Sequence, residues 1–268
     1  SDFTILSKAF DKLQTYKIAS KLGIPQPSFV EVTEDLKSEK IKLPCVLKPR
    51  SGWGGKGIKY VEDDIGLVKE LNFILKADDR YVVQERIPGE NDVYSVATMC
   101  NRGKVEASCV LKKIREDPPS GGSCVFGVSV KNDELRKYSI KLLENMKWHG
   151  TATVEFKMDP RDNTGKLMEI NARFFGYVQL AIYAGVDLPY MLYNIAVGNN
   201  NEKISEYKYD IFFSRFYRDL ICILKSLQKA KNWKEKHNII GSGVNSYFSS
   251  GVYFDFFRGV RMQRMRPV

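Results

Sequence analysis

The sequence has few of the residues that build metal clusters and disulfide frameworks. It contains two histidines, His149 and His237, and five widely spaced cysteines that form no Cys-x-x-Cys pair. Two histidines exclude a histidine-rich metal site. The odd number and wide spacing of the cysteines predict reduced thiols, not a disulfide framework or a zinc site. We therefore expect a protein of a reducing compartment, the cytoplasm.

Long apolar runs are also missing from the sequence. No stretch approaches the roughly 20 apolar residues that a membrane span needs, and the first ten residues lack the apolar segment of a signal peptide. We expect no membrane span. The 268 residues, 43% hydrophobic and 28% charged, suit one large globular domain or two small ones.

Positive charge is concentrated towards the C-terminus. Residues 199–268 carry 13 Lys and Arg against 6 Asp and Glu, whereas the first 198 residues carry 29 against 26. A basic surface attracts polyanions such as nucleotides, nucleic acid or anionic lipid. A solvated basic tail explains the charge equally well. Nucleic acid is not the partner we expect, because no interleaved aromatic motif accompanies the charge.

Apolar periodicity and turn residues predict a chain that mixes helices and strands. The predicted helices cover 8–22, 65–76, 133–146, 179–184, 188–197 and 220–230. The predicted strands cover 28–32, 45–48, 57–61, 80–85, 93–100, 104–113, 151–158 and 166–171. Residues 118–122 form a predicted loop, and 199–201 mark a predicted boundary. Apart from helix 220–230, the remainder shows no clear pattern.

The stretch KPRSGWGGKGIKY, residues 48–60, contains the spacing Gly52-x-Gly54-x-x-Gly57. A Rossmann dinucleotide turn has this spacing but continues directly into a helix. Here the residues after the last glycine, 58–61, are strand-like. A P-loop is excluded as well, because Ile58 stands where that loop requires a lysine.

We interpret this stretch as a strand–loop–strand hairpin. Glycines allow backbone N–H groups to approach phosphate oxygens closely, and Lys48, Arg50 and Lys56 surround the turn. A plain glycine-rich turn is the alternative. Protein kinases use such a hairpin, but the sequence has neither a His-Arg-Asp nor an Asp-Phe-Gly motif, which argues against a protein kinase.

Three oxygen-bearing side chains are predicted to meet on two neighbouring strands. Glu155 lies on one strand, and Glu169 and Asn171 lie two residues apart on the next, hence on one face. Oxygen ligands of this kind suit Mg²⁺, which often shares its coordination with nucleotide phosphates. A solvated acidic face is the alternative, but the apolar residues between these positions favour carboxylates with a partner. Arg173 continues the alternation and could reach a phosphoryl group.

Four short stretches occur in a fixed order along the chain. They are Asp11-Lys12 followed by Gly23-Ile24-Pro25; Leu43–Pro49 before the glycine loop; Val83–Gly89; and Glu155-Phe156 with Glu169-Ile170-Asn171-Ala172-Arg173. In this order they resemble the ATP-grasp superfamily, in particular its carbamoyl-phosphate-synthetase-like carboxylate–amine ligases. The resemblance covers residues 11–198, about 70% of the chain.

The resemblance implies an α+β (α/β) ATP-grasp fold in which two α+β subdomains clamp ATP. In such enzymes ATP phosphorylates a carboxylate, and an amine then displaces the phosphate from the acyl phosphate. We therefore expect an ATP- and Mg²⁺-dependent (or Mn²⁺-dependent) ligase with small-molecule acid and amine substrates. The expected organisation is a lead helix and small subdomain in 1–86, a large subdomain in 87–200, and a basic extension in 201–268.

The resemblance also implies a role for each matching residue. The expected nucleotide-binding residues are Lys12, Lys48, Ser51, Gly52, Gly54, Gly55, Gly57, Gln84, Glu85, Arg86, Ile87 and Asp92, with Glu90 as the alternative to Asp92 at the ribose. The expected metal ligands are Glu155, Glu169 and Asn171. The expected catalytic residues are Lys48, Asn171 and Arg173, and Arg173 would stabilise the acyl phosphate. Lys112, Lys113 and Arg115 either face the acyl-phosphate region or form a solvated hairpin end.

The sequence departs from the family pattern in two places. Family members usually carry a Rossmann-like domain before the lead helix, whereas this sequence starts at that helix. We therefore expect either a fragment or a partner, such as a second copy, that supplies the missing part. Ala172 stands where proline is common, which keeps the spacing of its neighbours. Two other functions remain open, a phosphotransferase and a nucleotide-binding module without turnover.

Overall fold

The computed structural model describes residues 1–36, 41–52, 55–77, 80–89, 92–118, 121–232, 234–239 and 252–254. The helices are α1 (Phe3–Phe10), α2 (Lys12–Lys21), α3 (Asp64–Lys76), α4 (Asp133–Asn145), α5 (Val178–Tyr183), α6 (Leu188–Ala196) and α7 (Phe216–Lys229). The strands are β1 (Phe29–Glu31), β2 (Cys45–Pro49), β3 (Lys59–Val61), β4 (Tyr81–Glu85), β5 (Val93–Asn101), β6 (Lys104–Asp117), β7 (Ser123–Val130), β8 (Gly150–Asp159), β9 (Thr164–Asn171), β10 (Phe212–Ser214) and β11 (Val252–Phe254).

These strands form two sheets. The small sheet has the strand order β1-β4-β2-β3, and the large sheet has the order β11-β10-β7-β6-β5-β8-β9. All neighbours pair antiparallel except β10 and β11, which pair parallel. Two mainly antiparallel sheets with helices on their faces agree with the predicted α+β class.

The lead helix is two helices, so the prediction of one helix over 8–22 was wrong at its start. The backbone of Asp11 is extended, and its carboxylate accepts hydrogen bonds from the backbone N–H groups of Leu13 and Gln14, at 3.0 and 3.4 Å. An aspartate in this position begins a new helix by satisfying its first donors. Arg50 forms an ion pair with the same carboxylate, which ties the helix junction to the end of β2.

The small sheet contains the predicted strand–loop–strand hairpin. β2 and β3 pair antiparallel, with Cys45 opposite Val61 and Leu47 opposite Lys59. The buried side of the sheet packs against α3, whose Leu67, Leu71 and Ile74 share a core with Cys45, Leu47, Val61, Tyr81 and Val83. This alternation leaves the even-numbered positions of β2 on the opposite face, and Lys48 is one of them.

The large sheet includes three strands that the sequence prediction missed, β7, β10 and β11. β7 fills the gap between the predicted loop and α4, pairs with β6, and contributes the buried residues Cys124, Val125, Phe126 and Val128. Its apolar run was short and interrupted by Gly127, which weakens the strand pattern. β6 also runs four residues beyond its predicted end, to Asp117.

Part of the chain after residue 201 joins the large sheet. β10 pairs with β7, and α7 packs against β6 and β7. A buried ion pair secures this helix, because both nitrogens of the Arg115 guanidinium fork lie 2.6 Å from the carboxylate oxygens of Asp219. The predicted division at 86 and 200 stays a prediction.

Within the described ranges, we find no helix with the length and apolar character needed to cross a membrane.

Candidate active site

A cleft with a volume of about 400 Å³ lies between the two sheets. Residues of β2 and the glycine loop line one side, and residues of β5, β6, β8 and β9 line the other. Its charged lining residues are Lys12, Lys48, Lys56, Lys113, Lys157, Arg173, Glu116, Asp117, Glu155 and Glu169. The cleft therefore combines cations that suit an anionic ligand with carboxylates that suit a metal ion.

Lys48 projects from β2 into this cleft and is 8% exposed. The pKa of Lys48 is lowered to about 8, mainly by burial and also by Lys12 and Lys157, while Glu169 and Glu155 oppose the shift. An ammonium group in this position is incompletely compensated by its surroundings. It therefore gains charge stabilisation from an anion such as a phosphate group.

The glycine loop is anchored on both sides of the turn. Gly52, Gly55 and Gly57 all have positive φ, at 150°, 72° and 76°. The Tyr81 hydroxyl donates to the carbonyl oxygen of Gly57 at 3.1 Å, and the Lys12 ammonium lies 3.5 Å from the carbonyl oxygen of Gly52. Only glycine adopts these angles without strain. The backbone conformation at these three positions therefore requires glycine.

The acidic residues of β8 and β9 meet as expected from strand pairing. Glu155 and Glu169 are directly opposite each other in the ladder, and the Asn171 side-chain nitrogen donates to Glu169 Oε1 at 2.9 Å. Burial raises the pKa of Glu155, and Lys113 opposes this shift. The three side chains line the cleft together.

A β-bulge alters the cleft face of β9. Glu155 is opposite Glu169, but Phe156 is opposite Leu167, so Met168 is an extra residue on β9. A bulge lets two successive residues face the same side of a sheet. Met168 and Glu169 accordingly both line the cleft.

Lys113 lies on the same side of the cleft as the acidic residues, on β6. Its ammonium nitrogen is 3.1 Å from Glu116 Oε1 and 3.2 Å from Glu155 Oε2. Desolvation acts to lower the pKa of Lys113, but Glu155, Tyr177 and Glu116 outweigh it and hold the pKa well above its ordinary value. The side chain is therefore a permanently charged cation beside the acidic pair.

The comparison with known families agrees with this geometry. The family model described as the ATP-grasp domain matches residues 9–177. This chain belongs to the ATP-grasp family. The ATP-grasp chain is also 28% identical over 233 residues to the D-alanine–D-alanine ligase of Thermoanaerobacter sp. (strain X514), covering 76% of this chain and 65% of that protein. It is 22% identical over 193 residues to the D-aspartate ligase of Enterococcus faecium (strain Aus0004), covering 64% and 46%.

The chain thus spans 65% or less of the length of these curated relatives. Among solved structures, the L-amino acid ligase of Bacillus licheniformis matches with a TM-score of 0.58 and 21% identity, over 74% of this chain and 50% of that one. The D-alanine–D-alanine ligase of Bacillus anthracis, complexed with ATP, matches with a TM-score of 0.55 and 22% identity, over 74% and 69%. At these identities the likeness confirms the ATP-grasp fold.

Eight of the residues expected at the site line the ATP-grasp cleft. They are Lys12, Lys48, Gly52, Gly55, Glu155, Glu169, Asn171 and Arg173. Arg173 is exposed at the rim, where its guanidinium donates to the carbonyl oxygen of Phe174 at 3.2 Å. Ser51 and Gly57 belong to the same loop but do not line the cleft. Gly54 and Glu90 lie outside the residues that the structure describes.

The expected hinge residues do not line the cleft. The Gln84 side chain is buried against the Tyr16 hydroxyl, 3.0 Å away, and Glu85 forms an ion pair with Arg161 at 2.6 Å. The Arg86 backbone N–H donates to Pro44 O at 3.2 Å, and Ile87 O accepts from Lys157 Nζ at 3.0 Å.

Asp92 lies in a separate depression beside the cleft, lined by Gly89, Asp92, Lys112, Lys113, Ile114, Met158 and Pro160. Its carboxylate is 2.7 Å from the ammonium nitrogen of Lys112. Asp92 and Lys48 therefore do not line the same cleft in this conformation. The ribose-binding role of Asp92 stays a prediction.

Several cleft residues were missed in the sequence. Lys157 was accessible to the same reasoning as Glu155, because it lies two residues further on the same strand face. The sequence did not predict Met168 at the cleft because regular alternation would place Met168 and Glu169 on different faces of β9. Glu116, Asp117 and Cys124 come from the missed β6 extension and β7. Prediction of the full length of β6 and of β7 would have identified these three residues as candidates for the cleft.

Proposed function

We propose that this chain forms the ATP-clamping part of a ligase that activates a carboxylate as an acyl phosphate for attack by an amine. One observation carries the proposal: Lys48 on the small sheet and the Glu155, Glu169 and Asn171 set on the large sheet face the same cleft. A carboxylate is a poor acyl donor, and phosphorylation gives it a good leaving group. The protein's task is then to position two anions and compensate their charge.

Within the proposal, the small sheet holds the nucleotide. The Lys48 ammonium attracts its phosphates, and Lys12 and Lys56 add positive charge on the same side of the cleft. Gly52 and Gly55 allow the backbone to come close to phosphate oxygens. Gln84, Glu85, Arg86 and Ile87 would edge the adenine, and Asp92 would reach the ribose, after the two sheets close on the nucleotide.

The donor set on the large sheet fits a divalent metal ion. Glu155, Glu169 and Asn171 offer oxygen ligands, which Mg²⁺ and Mn²⁺ prefer. The described part of the chain contains no group of three His, Cys, Asp or Glu side chains close enough to hold a metal on their own. Phosphate oxygens and water would have to complete the coordination. Such an ion supplies charge neutralisation for the transferred phosphoryl group.

The acid and amine substrates belong at the other end of the cleft. Arg173 at the rim would stabilise the negative charge of the acyl phosphate and its transition state. Phe175, Gly176 and Tyr177 line the cleft after Arg173. The relatives include a D-alanine–D-alanine ligase, a D-aspartate ligase and an L-amino acid ligase, which supports amino acids as the first substrates to test.

Two measurements on the full chain test this function. The first is ATP binding by isothermal titration calorimetry in the presence of Mg²⁺; absence of binding would overturn the proposal. Lys48→Ala should weaken that binding, and an unchanged affinity would remove Lys48 from the nucleotide site. The second is ADP release with a panel of carboxylic acids and amines, with amide products identified by mass spectrometry. ADP release that never depends on an amine would indicate a phosphotransferase instead.

A further inference from the structure

Lys113 is held between two carboxylates that belong to different parts of the site. Its ammonium nitrogen is 3.2 Å from Glu155 Oε2, a proposed metal ligand, and 3.1 Å from Glu116 Oε1, which has no assigned role. The side chains of Lys113 and Glu116 are 7% and 3% exposed. Ion pairs this well buried depend on every member, because removing one leaves an uncompensated charge in the interior.

A strand irregularity creates this arrangement. Residues three apart on a regular strand point to opposite faces, yet Lys113 and Glu116 both line the cleft. The pairing of β6 with β7 shifts between Lys113 and Arg115, which makes Ile114 an extra residue. The bulge turns Glu116 to the same side as Lys113, so the fold provides this lysine with a second carboxylate.

The inference concerns the cation site and rests on the proposed function. We propose that the Lys113 ammonium occupies the place of the divalent cation at Glu155 in the ligand-free chain, and that it moves to Glu116 alone when cation and nucleotide bind. A divalent cation and an ammonium group at contact distance from one carboxylate repel each other, and this repulsion is stronger where the cleft is desolvated. Glu116 keeps the displaced ammonium paired, so the exchange leaves no buried charge alone.

This exchange has a consequence for the order of binding. Without nucleotide, a free metal ion must displace Lys113 while only two carboxylates and an amide are available to it. With nucleotide, phosphate oxygens add ligands and negative charge. Lys113 therefore acts as a positioning residue that favours entry of the cation together with the nucleotide over entry of the cation alone.

Binding of Mn²⁺ to the full chain, measured from the electron paramagnetic resonance signal of free Mn²⁺, tests the proposal without turnover. The wild type should bind Mn²⁺ weakly alone and tightly with ADP. Lys113→Met should increase the affinity for Mn²⁺ without ADP by about tenfold or more, since the competing ammonium is gone. Lys131→Met is the matched control, because Lys131 lies in an exposed ion pair with Asp133 at 3.9 Å. It should behave as wild type.

Glu116→Gln provides a second test with the opposite sign. Without the Glu116 carboxylate, Lys113 has only Glu155 as a partner, so the affinity for Mn²⁺ with ADP should fall by about tenfold. Circular dichroism and thermal melting show whether each variant is folded. If Lys113→Met does not fold, Glu116→Gln decides alone.

The outcomes separate this inference from the proposed function. Mn²⁺ affinity that is unchanged or lower in a folded Lys113→Met variant overturns the role of Lys113. Unchanged or higher affinity in Glu116→Gln does the same. If the wild-type chain binds ADP with Mn²⁺ but the variants give these contradicting results, the role of Lys113 is overturned and the proposed function stands. A wild-type chain that binds neither ADP nor Mn²⁺ overturns both.

Discussion

The Tyr16 hydroxyl donates a hydrogen bond to the carbonyl oxygen of Met168 over 2.8 Å. Tyr16 lies on α2, and Met168 is the bulged residue of β9, so the bond joins the lead helices to the large sheet. The same hydroxyl lies 3.0 Å from Gln84 Oε1 on the small sheet. One phenol therefore contacts both sheets on the buried side of the cleft.

Tyr16→Phe should reduce the free energy of unfolding by about 1–3 kcal/mol. The substitution keeps the ring but removes the hydroxyl that donates to the Met168 carbonyl and lies beside Gln84 Oε1 in a buried position. Urea denaturation followed by circular dichroism measures the change. Tyr190→Phe on α6 is the control, because Tyr190 is 58% exposed, and it should change the free energy by less than about 0.5 kcal/mol.

Glu169→Gln should abolish ADP formation and leave the fold intact. The neutral amide keeps the shape of the side chain but removes one of two carboxylates from the proposed cation site. Coupled ADP detection measures activity, and thermal melting measures folding. Glu206→Gln, at an exposed position after α6, should retain activity. Full turnover in Glu169→Gln would contradict the metal assignment.

ATP affinity should fall as the pH rises through about 8. The pKa of Lys48 is lowered to about 8 from an ordinary value near 10.5. Below that pH the side chain is charged and attracts phosphate; above it the side chain is neutral in the ligand-free chain. Binding then requires uptake of a proton, so affinity should decrease by up to about tenfold per pH unit. Calorimetric titrations between about pH 7 and pH 9.5 test the slope.

Lys48→Arg is the comparison for this pH dependence. Arginine stays charged throughout that range, so its affinity for ATP should show no decrease that begins near pH 8. A decrease of equal slope in both proteins would assign the pH dependence to another group.

Gly57→Ala should destabilise the protein more than Gly55→Ala. Both residues have positive φ, so each alanine costs about 1 kcal/mol from backbone strain. A Cβ at Gly57 would lie 2.8 Å from Pro49 Cγ and 3.0 Å from the Tyr81 hydroxyl, whereas a Cβ at Gly55 meets no atom within 4 Å. Denaturation midpoints of the two variants give the comparison. Equal losses would mean that Pro49 and Tyr81 yield without cost.

Asp219→Ala should cost about 3–5 kcal/mol of stability, because it leaves the Arg115 guanidinium without its buried carboxylate. Asp219 is fully buried, and the pair joins α7 to β6. Lys131→Ala removes one partner of an exposed pair and should cost at most about 1 kcal/mol. Thermal or urea unfolding distinguishes the two. A small effect at Asp219 would show that α7 contributes little to the large sheet.

Local sequence patterns predicted the contacts between segments that lie close together in the sequence. The β2–β3 hairpin followed from apolar strands around glycines, and the Glu155–Glu169 pairing followed from alternation on two strands joined by a polar turn. Both rest on regular periodicity. The break at Asp11 was missed because the apolar pattern continues through it, and only the cap geometry and Arg50, distant in sequence, reveal it.

Contacts between distant segments could not be predicted from periodicity. The Arg115–Asp219 pair joins residues 104 positions apart, and Lys113 reaches Glu155 on a strand that is not its neighbour in the sheet. The exclusion of residues 84–87 from the cleft lining also depends on how the two sheets are placed. These features follow from tertiary packing, whereas the four family stretches already identified part of the cleft lining, including Lys12, Lys48, Glu155 and Glu169.

The two bulges at Ile114 and Met168 have a practical consequence for redesign of the cleft. Each one changes the parity of its strand, so positions before and after it follow opposite odd–even rules. Deleting the extra residue at either position would restore regular alternation along the strand, whereas an inserted residue would enlarge the irregularity. Saturation libraries directed at the cleft should therefore select positions on β6 and β9 from the coordinates and not by counting alternate residues.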